Sequence, residues 1–452
     1  MAPIPNRTIV GRLAVLGALA MANVHGSLGA PLQTRPDVGR ETGVGEPAAG
    51  STVGARPSRC LSLTGVAKPP RYVPVCAARA AVVVSFSPMD RRDFVRLAAL
   101  GLFAGQGARP APAAQAAPPF PVKHWAWLRG DVQNLDAWKR TLSNLRQTGI
   151  TAVLVSGSAD FYRTHMPSAR DEGMEVHAWL FTMMRGEHVK THPEWYAVSR
   201  RGVSTAVKPP YVDYYRFMCP SRDEVRATLR AVVRELAAVD GLASVHLDYI
   251  RYPDVILPIA LWPTYGIVQD KEYPEYDYCY CQVCREAFKR QSGLDPADMP
   301  DPPAQAAWRQ FRYDAITGVV SMLADEAHGA KKLLTAAVFP TPTIARTLVR
   351  QDWTRWKVDA LLPMVYQGFY KEDVPWIARA TREGVAALGG RTPLYSGLYV
   401  PDLPPADLAE AARQALAGGA QGVSVFHGNL LTAEHRTALR GVLRAAAAES
   451  RR

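Results

Sequence analysis

The sequence predicts a parallel α/β fold over residues 118–447, a (β/α)8 barrel with one long insertion after strand 4. From Lys123 onward, short apolar runs alternate with longer stretches of helical periodicity, which is the pattern of repeated β–α units. Eight such runs in about 330 residues suit a barrel of this kind. No glycine-rich nucleotide loop follows the first run, and its absence disfavours a doubly wound open sheet.

The predicted strands are short, and amphipathic helices separate them. They are His124–Leu128, Ala152–Ser156, Val176–Phe181, Ser244–Tyr249, Leu333–Phe339, Ala360–Tyr366, Pro393–Leu398 and Gly422–Phe426. The helical stretches between them include Leu135–Thr148, Arg222–Val239, Trp308–Ala327 and Pro405–Ala417. Barrel enzymes carry their chemistry at the carboxyl ends of the strands, so the last residues of each strand are the candidates for a site.

The charge of the chain does not indicate a nucleic-acid partner. The net charge is +12, but residues 1–117 hold 13 of the 53 lysines and arginines and only 5 of the 41 aspartates and glutamates. The predicted barrel is therefore close to neutral. It also contains no Lys/Arg run of the kind that follows a phosphate backbone.

Residues 89–117 have the pattern of an export signal. The paired Arg91 and Arg92 precede a modestly apolar stretch, and Ala114-Gln-Ala116 supplies the small residues of a signal-peptidase site. The segment resembles a twin-arginine (Tat) signal, which implies the Tat translocase as a partner and a periplasmic or secreted product. The apolar stretch is too short for a permanent membrane anchor.

The stretch before that signal, residues 1–88, is rich in Gly, Pro, Arg and Ala and shows no sustained periodicity. Our hypothesis is that Met89 is the true start and that residues 1–88 are a spurious upstream extension or disordered. The alternative is a second signal, because Arg12–Met21 has the composition of a Sec-type core. Amino-terminal sequencing of the exported protein distinguishes the two.

The fourth strand contains the strongest candidate for catalysis. Alternation along the strand puts His246 and Asp248 on the inner face of the barrel, and puts Val245, Leu247 and Tyr249 on the face under the helices. An inward carboxylate at a strand end is costly unless it is paired or hydrogen-bonded, so it usually has a purpose. Arg251 and Tyr252 follow as partners. The structural alternative is a buried Asp248–Arg251 salt bridge that only holds the loop.

Aromatic and polar residues also gather at the other predicted strand ends. Aromatic faces at a barrel mouth suit stacking on sugar rings, and a single aromatic residue of this kind is otherwise ordinary core. The predicted substrate-binding residues are Trp127, Trp179, His246, Arg251, Tyr252, Tyr366, Gln367, Tyr399 and His427. Their concentration at strand ends favours a carbohydrate cleft.

A second carboxyl group, which glycoside hydrolysis normally needs, is harder to find. Strands five to eight end without Asp or Glu. The preferred candidates, Asp254 and Glu275, lie after strand four. The others are Asp160, Asp270, Glu272 and Asp277, whereas Asp352 is better explained as a helix cap. Because no second carboxyl group is evident at the strand ends, the hypothesis of a barrel that binds sugar without cleaving it stays open.

Three motifs carry a resemblance to a known family. Gly241–Asp254, which contains His246-Leu-Asp-Tyr-Ile-Arg-Tyr-Pro253, resembles the fourth-strand motif of glycoside-hydrolase-like barrels related to glycosyl hydrolase family 10-like proteins, a domain formerly of unknown function. Met218–Glu224 is similar to that family's lead into its third helix, and Gln351–Tyr366 to its approach to strand six. The resemblance covers residues 123–445. It implies that Asp248 is the nucleophile or the general acid.

Four cysteines form a candidate metal site. Cys279-Tyr-Cys-Gln-Val-Cys284 contains three thiols, and Cys219 lies upstream. Four thiolates suit a tetrahedral structural zinc ion, and the spacing is similar to the zinc cluster of some bacterial β-galactosidase barrels. Export instead favours disulfides, for which four cysteines allow three pairings, and free thiols are the third possibility. Export of a folded protein permits metal loading beforehand. The scattered histidines disfavour a catalytic metal, and nothing in the sequence implies an organic cofactor.

The sequence therefore supports two hypotheses from different classes. The first is an exported glycoside hydrolase that cleaves a polysaccharide or glycoconjugate by carboxylate acid/base chemistry centred on Asp248. The second is a non-catalytic carbohydrate-binding barrel that uses the same aromatic cleft. A metal-dependent hydrolase of another bond is disfavoured because few histidines lie at strand ends.

Overall fold

The computed structural model describes residues 121–129 and 134–449. They form eight parallel strands: β1 Trp125–Leu128, β2 Ala152–Val155, β3 Glu175–Phe181, β4 Ser244–Asp248, β5 Leu333–Val338, β6 Ala360–Pro363, β7 Tyr395–Tyr399 and β8 Gly422–Phe426. Their order is β6-β5-β4-β3-β2-β1-β8-β7. Two parallel bridges, Leu361 to Leu394 and Met364 to Gly397, link β6 to β7 and close the sheet. The predicted (β/α)8 barrel is confirmed.

Helices follow the strands and surround the sheet. They are α1 Leu135–Thr148, α2 Ala159–Asp171, α3 Asp223–Ala237, the short α4 Trp262–Tyr265, α5 Gln282–Ser292, α6 Ala306–Gly329, α7 Pro342–Val349, α8 Trp376–Leu388, α9 Pro405–Ala417 and α10 Ala433–Glu449. The predicted bounds of α1 and α9 agree with the structure, and those of α3 and α6 differ by one or two residues at each end. None of the described helices is long and apolar enough to cross a membrane.

Alternation along the strands divides the apolar residues into two cores. In β1, Ala126 and Leu128 face the helices, whereas Trp125 and Trp127 fill the barrel interior. The interior also contains a buried polar row. The His177 imidazole lies 2.7 Å from the Ser244 hydroxyl, and Thr335 lies between Ser244 and the His246 imidazole, at 3.3 and 2.8 Å. Buried polar atoms paired in this way avoid much of the cost of desolvation.

Four strands end earlier than predicted, and of these β2 and β5 are each shorter at that end by only one residue. β6 ends at Pro363 rather than Tyr366, since Met364 leaves the ladder to make the closing bridge. β4 ends at Asp248, because Tyr249 adopts φ +48°, in the left-handed region that a bulky residue rarely occupies. The prediction that Tyr249 would lie under the helices is therefore wrong, and its side chain turns toward the barrel mouth.

Two long segments lie over the carboxyl ends of the strands, where the sequence predicted one. One is residues 182–222 after β3, and the other is residues 249–305 after β4. They are joined by an antiparallel bridge between Ser199 and Tyr278 and by a hydrogen bond from the Tyr280 amide to the Val198 carbonyl. The joined segments form one wall of the barrel mouth and bring Cys219 to Cys279–Cys284.

Candidate active site

A cleft lies at the carboxyl ends of the strands. Aromatic side chains dominate its wall, which also contains two aspartates, one arginine and one histidine. The lining residues are Trp179, Phe181, Met184, Tyr215, Asp248, Tyr249, Arg251, Asp254, Leu257, Pro258, Leu261, Phe339, Met364, Tyr366, Phe369, Tyr370, Tyr399, Phe426 and His427. An apolar cleft with a few convergent polar groups is typical of a ligand site.

Asp248 is the last residue of β4, and both of its carboxylate oxygens accept hydrogen bonds. The Trp179 indole N–H donates to Oδ2 at 2.9 Å, and the Tyr249 backbone N–H donates to Oδ1 at 2.6 Å. Trp179 reaches this position because β3 pairs in register with β4, which sets Phe181 beside Asp248 and Trp179 beside His246. The carboxyl group is thus held in one orientation at the base of the cleft.

The surroundings of Asp248 favour its neutral form. Burial is the largest influence and raises its pKa, while the N–H groups of Trp179 and Tyr249 and the charge of Arg251 act in the opposite direction. The net effect is a pKa above the usual value for aspartate. A carboxyl group in an apolar pocket that retains its proton at higher pH can donate that proton to a leaving group.

Arg251 forms its buried ion pair with Asp254 in the described chain, rather than with Asp248. Its Nη1 lies 2.8 Å from Asp254 Oδ2 and donates to the Tyr252 carbonyl at 3.0 Å. The guanidinium also lies 5.0 Å from the Tyr249 ring centre and 5.2 Å from that of Phe339. Arg251 therefore fixes the position of the second aspartate that lines the cleft.

His427, which follows β8, supplies polar atoms to the cleft. It is 3% exposed, and neither ring nitrogen has a hydrogen-bond partner among the described residues. Burial lowers its pKa to about 3, and the charge of Arg129 adds to that effect, so the ring is neutral at physiological pH. A neutral imidazole with two unpartnered nitrogens offers a ligand one donor and one acceptor.

The structure gathers only some of the predicted site residues in the cleft. Those that line it are Trp179, Asp248, Arg251, Asp254, Tyr366, Tyr399 and His427. Trp127 and His246 lie in the barrel interior instead, with their rings 5.9 Å apart. Gln367 is buried, and Tyr252 faces the cysteines. Glu275 is exposed outside the cleft, 3.7 Å from Arg201.

The other acidic candidates also have structural surroundings. Asp277 and Glu272 form ion pairs with the buried Arg312 and Arg350. Asp160 is an exposed residue of α2. Asp352 precedes a short 3-10 helix but makes no capping bond there, and its carboxylate accepts instead from Arg346 at 2.8 Å. Asp352 thus occupies the predicted N-cap position, but its carboxylate pairs with an arginine side chain and does not cap the helix.

Several cleft residues were missed by the sequence reasoning. Phe369 and Tyr370 follow Tyr366-Gln-Gly directly, so the run of aromatic residues after strand six was an available signal. Tyr215 had none, because it comes from the irregular segment after β3. Asp402, three residues past β7, lies against Gly368 so closely that a Cβ at Gly368 would be 2.6 Å from its Oδ2. Asp402 is exposed and is not among the residues that line the cleft, but it lies close to Tyr399, which does line it.

The four cysteines Cys219, Cys279, Cys281 and Cys284, here called the cysteine centre, are all buried, and their sulfur atoms lie within 4.8 Å of one another. Cys219 Sγ is 3.5 Å from Cys281 Sγ and 3.4 Å from Cys284 Sγ. A tetrahedral zinc ion with bonds of about 2.3 Å separates its sulfurs by about 3.8 Å. The spacing therefore suits one metal ion.

Polar groups around the cysteine centre suit thiolates as well. The Val198 backbone N–H donates to Cys279 Sγ at 3.3 Å, and Ser221 lies 3.4 Å from Cys284 Sγ. The Tyr252 hydroxyl is buried with no hydrogen-bond partner among the described residues, and burial raises its pKa, with a smaller contribution from the neighbouring Cys284, Cys219 and Cys279. Donors near sulfur stabilise the negative charge that a metal tetrathiolate carries.

Comparison with known proteins gives similar structures but no sequence family. No protein-family model matches the chain. No curated protein matches it either. The glycoside hydrolase domain of PgaB (BpsB) from Bordetella bronchiseptica is similar in structure, with a TM-score of 0.56, 11% identity, and coverage of 72% of this chain and 99% of that one.

Two β-galactosidases are similar as well. That of Rahnella sp. R3 has a TM-score of 0.54 and 13% identity over 75% of this chain and 57% of its own. That of the psychrophilic Marinomonas ef1 has a TM-score of 0.50 and 12% identity over 71% of this chain and 59% of its own. This chain thus spans little more than half of each galactosidase.

The structural neighbours are glycoside hydrolases. At these identities the likeness establishes the fold alone. The resemblance of Gly241–Asp254 to the family 10-like barrels and the assignment of residues 89–117 to a Tat signal stay predictions, and residues 89–117 lie outside the described residues.

Proposed function

We propose that this protein is an exported glycoside hydrolase that cleaves a polysaccharide or glycoconjugate with Asp248 as its central catalytic residue. The observation that carries the proposal is the position of Asp248, a buried carboxyl group at the end of β4 in an aromatic cleft. The glycoside hydrolases among the structural neighbours support it at the level of the fold. Aromatic rings give sugar rings faces to stack on.

Asp248 acts as the general acid. Its raised pKa keeps the proton available for the oxygen of the leaving sugar. The hydrogen bonds from Trp179 and Tyr249 fix the carboxyl group, so the proton is delivered along one direction. His427, with two unpartnered nitrogens, hydrogen-bonds a sugar hydroxyl.

Asp254 is the preferred second carboxylate, and Asp402 is the alternative. Asp254 lines the cleft with Asp248, and its pairing with Arg251 fixes its position. Asp402 is an exposed carboxylate against Gly368 and close to Tyr399, at the edge of the cleft rather than in its lining. Glu275, outside the cleft, is not retained. Proton NMR of the first product distinguishes retention from inversion of the anomeric centre, which depends on the distance between the two carboxyl groups.

One observation favours the second hypothesis, a carbohydrate-binding barrel without hydrolytic activity. The Asp254 carboxylate is engaged by Arg251, and an aspartate held in an ion pair is a constrained nucleophile or base. A glycan screen that compares the purified protein with Asp248→Asn separates the two. Equal turnover by both proteins contradicts Asp248 as the catalyst. Glycan binding without turnover by either favours the binding barrel.

The pH dependence of turnover tests the acid role of Asp248. In Trp179→Phe the carboxylate loses an N–H donor that favours its ionised form, so its pKa rises further. The alkaline limb of kcat/KM depends on Asp248 keeping its proton, and it should therefore move to higher pH by roughly one to two units. The measurement is kcat/KM against pH.

Phe181→Leu provides the matched control. Phe181 also packs on the Trp179 ring, with ring centres 5.2 Å apart, and it donates no hydrogen bond to Asp248. The Phe181→Leu variant should leave the alkaline limb of kcat/KM at the same pH, although it changes the packing around Trp179. A limb that moves equally in both variants, or moves to lower pH in Trp179→Phe, contradicts the acid role.

We further propose that the cysteine centre binds one structural zinc ion, with Cys219, Cys279, Cys281 and Cys284 as ligands. The ion fixes the two long segments to each other, since Cys219 comes from the first and the other three from the second. Its distance in sequence from Asp248 and its four protein ligands suit a structural rather than a catalytic metal.

Metal analysis of the purified protein should find about one zinc per chain, and Cys219→Ser should remove most of it. Asp270→Asn is the control and should keep the zinc, because Asp270 is an exposed residue of the second segment and is not a proposed ligand. Thiols of the cysteine centre should titrate only after chelation. Thiols that titrate only after reduction indicate disulfides and contradict the zinc site.

We also propose that the protein is exported in its folded state. Residues 89–117 direct the folded protein to the Tat translocase through Arg91 and Arg92. Passage in the folded state permits zinc to be loaded before export, which reconciles a metal thiolate centre with a periplasmic or secreted protein.

A further inference from the structure

A cluster of tyrosines extends the cleft on the side of Asp254. Tyr211 comes from the segment after β3, and Tyr265 and Tyr276 come from the segment after β4. Tyr211 stacks on Tyr276 with ring centres 4.6 Å apart and an angle of 7°, and lies 5.8 Å from Tyr265. Together with Tyr214 they are called the tyrosine wall.

The tyrosine wall is continuous with the cleft. Tyr215, which lines the cleft, lies 6.3 Å from Tyr211 and 5.4 Å from Tyr214, measured between ring centres. The Tyr211 hydroxyl donates to the Asp254 carbonyl at 2.8 Å. A ligand that reaches Asp254 from the cleft therefore meets the tyrosine wall next.

Tyr211 is held in an unusual conformation. Its φ is +64°, a conformation that a bulky residue adopts only when its surroundings impose it. Gln269 donates to the Tyr211 hydroxyl at 2.8 Å and accepts from the Leu257 amide at 2.8 Å, so one amide side chain ties the tyrosine wall to the cleft lining. These hydrogen bonds fix the position of the tyrosine wall relative to Asp254.

The composition of the tyrosine wall suits a sugar. Tyr214, Tyr265 and Tyr276 are half-buried, so each keeps part of its ring accessible to solvent, and the exposed Asp213, Asp270 and Glu275 lie in the same segments. Each wall residue combines an aromatic ring with a hydroxyl. A pyranose needs both, because its C–H face stacks on a ring while its hydroxyls need polar partners.

We propose that the tyrosine wall is a second carbohydrate-binding surface, which holds the sugars of a polymer beyond the one next to Asp254. The inference rests on the proposed function and deepens it, since it makes the substrate an oligosaccharide or polysaccharide chain rather than a single terminal sugar. Binding then strengthens with chain length, and the gain from added sugars depends on the wall.

Affinity electrophoresis and calorimetry test the inference on the full-length chain. Asp248→Asn, which should turn over a ligand only slowly under the proposed mechanism, is run in native gels containing xylan, β-1,4-galactan or glycol chitosan. The disaccharide and hexasaccharide of the retarding polymer are then titrated. Adding Tyr265→Ala should weaken hexasaccharide binding by about five- to tenfold and leave disaccharide binding unchanged. Tyr276→Ala should do the same.

Tyr273→Ala is the control, because Tyr273 lies in the same segment, bonded to Asp270, and outside the wall stack. Three outcomes overturn the inference. In the first, Tyr265→Ala weakens disaccharide and hexasaccharide binding equally, and in the second it weakens neither. In the third outcome, none of the three gels retards Asp248→Asn. The catalytic proposal fails separately. If Asp248→Asn turns the polymer over as fast as the unmodified protein, Asp248 is not the catalyst, while a length-dependent loss in Tyr265→Ala still supports the wall.

Discussion

Asp248→Asn should lower kcat on the identified glycan by about 10²–10⁴-fold, the usual contribution of a general acid. The asparagine has nearly the volume of the aspartate but no proton to donate at neutral pH. Its amide oxygen can still accept from Trp179 at the position of Oδ2. KM should therefore change far less than kcat, because the aromatic lining that binds the sugar is retained.

Two controls accompany this variant. Asp160→Asn removes an exposed carboxylate of α2 and should leave kcat within a factor of about two, as surface changes rarely matter. A substrate whose leaving group is a nitrophenolate needs no protonation, so Asp248→Asn should lose much less activity on it. An equal loss of activity on both substrates would show that the substitution disturbs the cleft as a whole and does not act by removing the proton donor.

Asp277→Asn should lower the free energy of unfolding by about 3–5 kcal/mol, the cost of breaking a buried ion pair. Asp277 is fully buried, and its carboxylate accepts from the buried Arg312 and from the Tyr280 hydroxyl. A second buried arginine, Arg350, lies 3.9 Å away. Without the carboxylate, Arg312 and Arg350 repel each other, and Glu272, which pairs with Arg350, offsets part of their charge.

Urea unfolding followed by tryptophan fluorescence measures this effect. Asp270→Asn is the matched control, because Asp270 is an exposed aspartate in the same segment that accepts from the Tyr273 hydroxyl. It should change the free energy of unfolding by no more than about 0.5 kcal/mol. A loss below about 1 kcal/mol in Asp277→Asn would show that water or Glu272 neutralises the two arginines.

The stability prediction bears on the site as well as on the fold. Tyr280 joins Asp277 to Trp308 of α6, and Arg350 follows α7, so this ion-pair cluster fastens the segment after β4 to two helices. The same segment contributes Asp254, Leu257 and Leu261 to the cleft and Tyr265 and Tyr276 to the tyrosine wall. Loosening the cluster should therefore weaken ligand binding before it unfolds the barrel.

The strands and the position of Asp248 could be predicted from the sequence because both depend on local order. A strand is short, and its side chains alternate between two faces, so apolar residues at every second position of β4 indicate which way Asp248 points. The structure differs from these predictions at residues where the backbone is no longer a regular strand. Tyr249 turned into the cleft through a positive φ, and β6 stopped at Pro363 to make the closing bridge.

The members of the cleft could not be predicted in the same way, because irregular segments follow no period. Trp127 and His246 face inward as the alternation requires, but they lie at a depth in the barrel that a ligand in the cleft does not reach. Tyr215 and the tyrosine wall come from segments far apart in sequence. Their meeting depends on long-range hydrogen bonds such as that from Tyr211 to Asp254.

The sequence by itself determined the barrel, the inward carboxyl group of Asp248 and the closeness of the three thiols in Cys279–Cys284, since periodicity and close spacing are properties of the chain. Only the tertiary structure decided that Arg251 pairs with Asp254, that Glu275 lies outside the cleft and that Asp277 is buried between arginines. The physical reason is that charge pairing is decided by distance in space, and long segments can bring any of several carboxylates to one arginine.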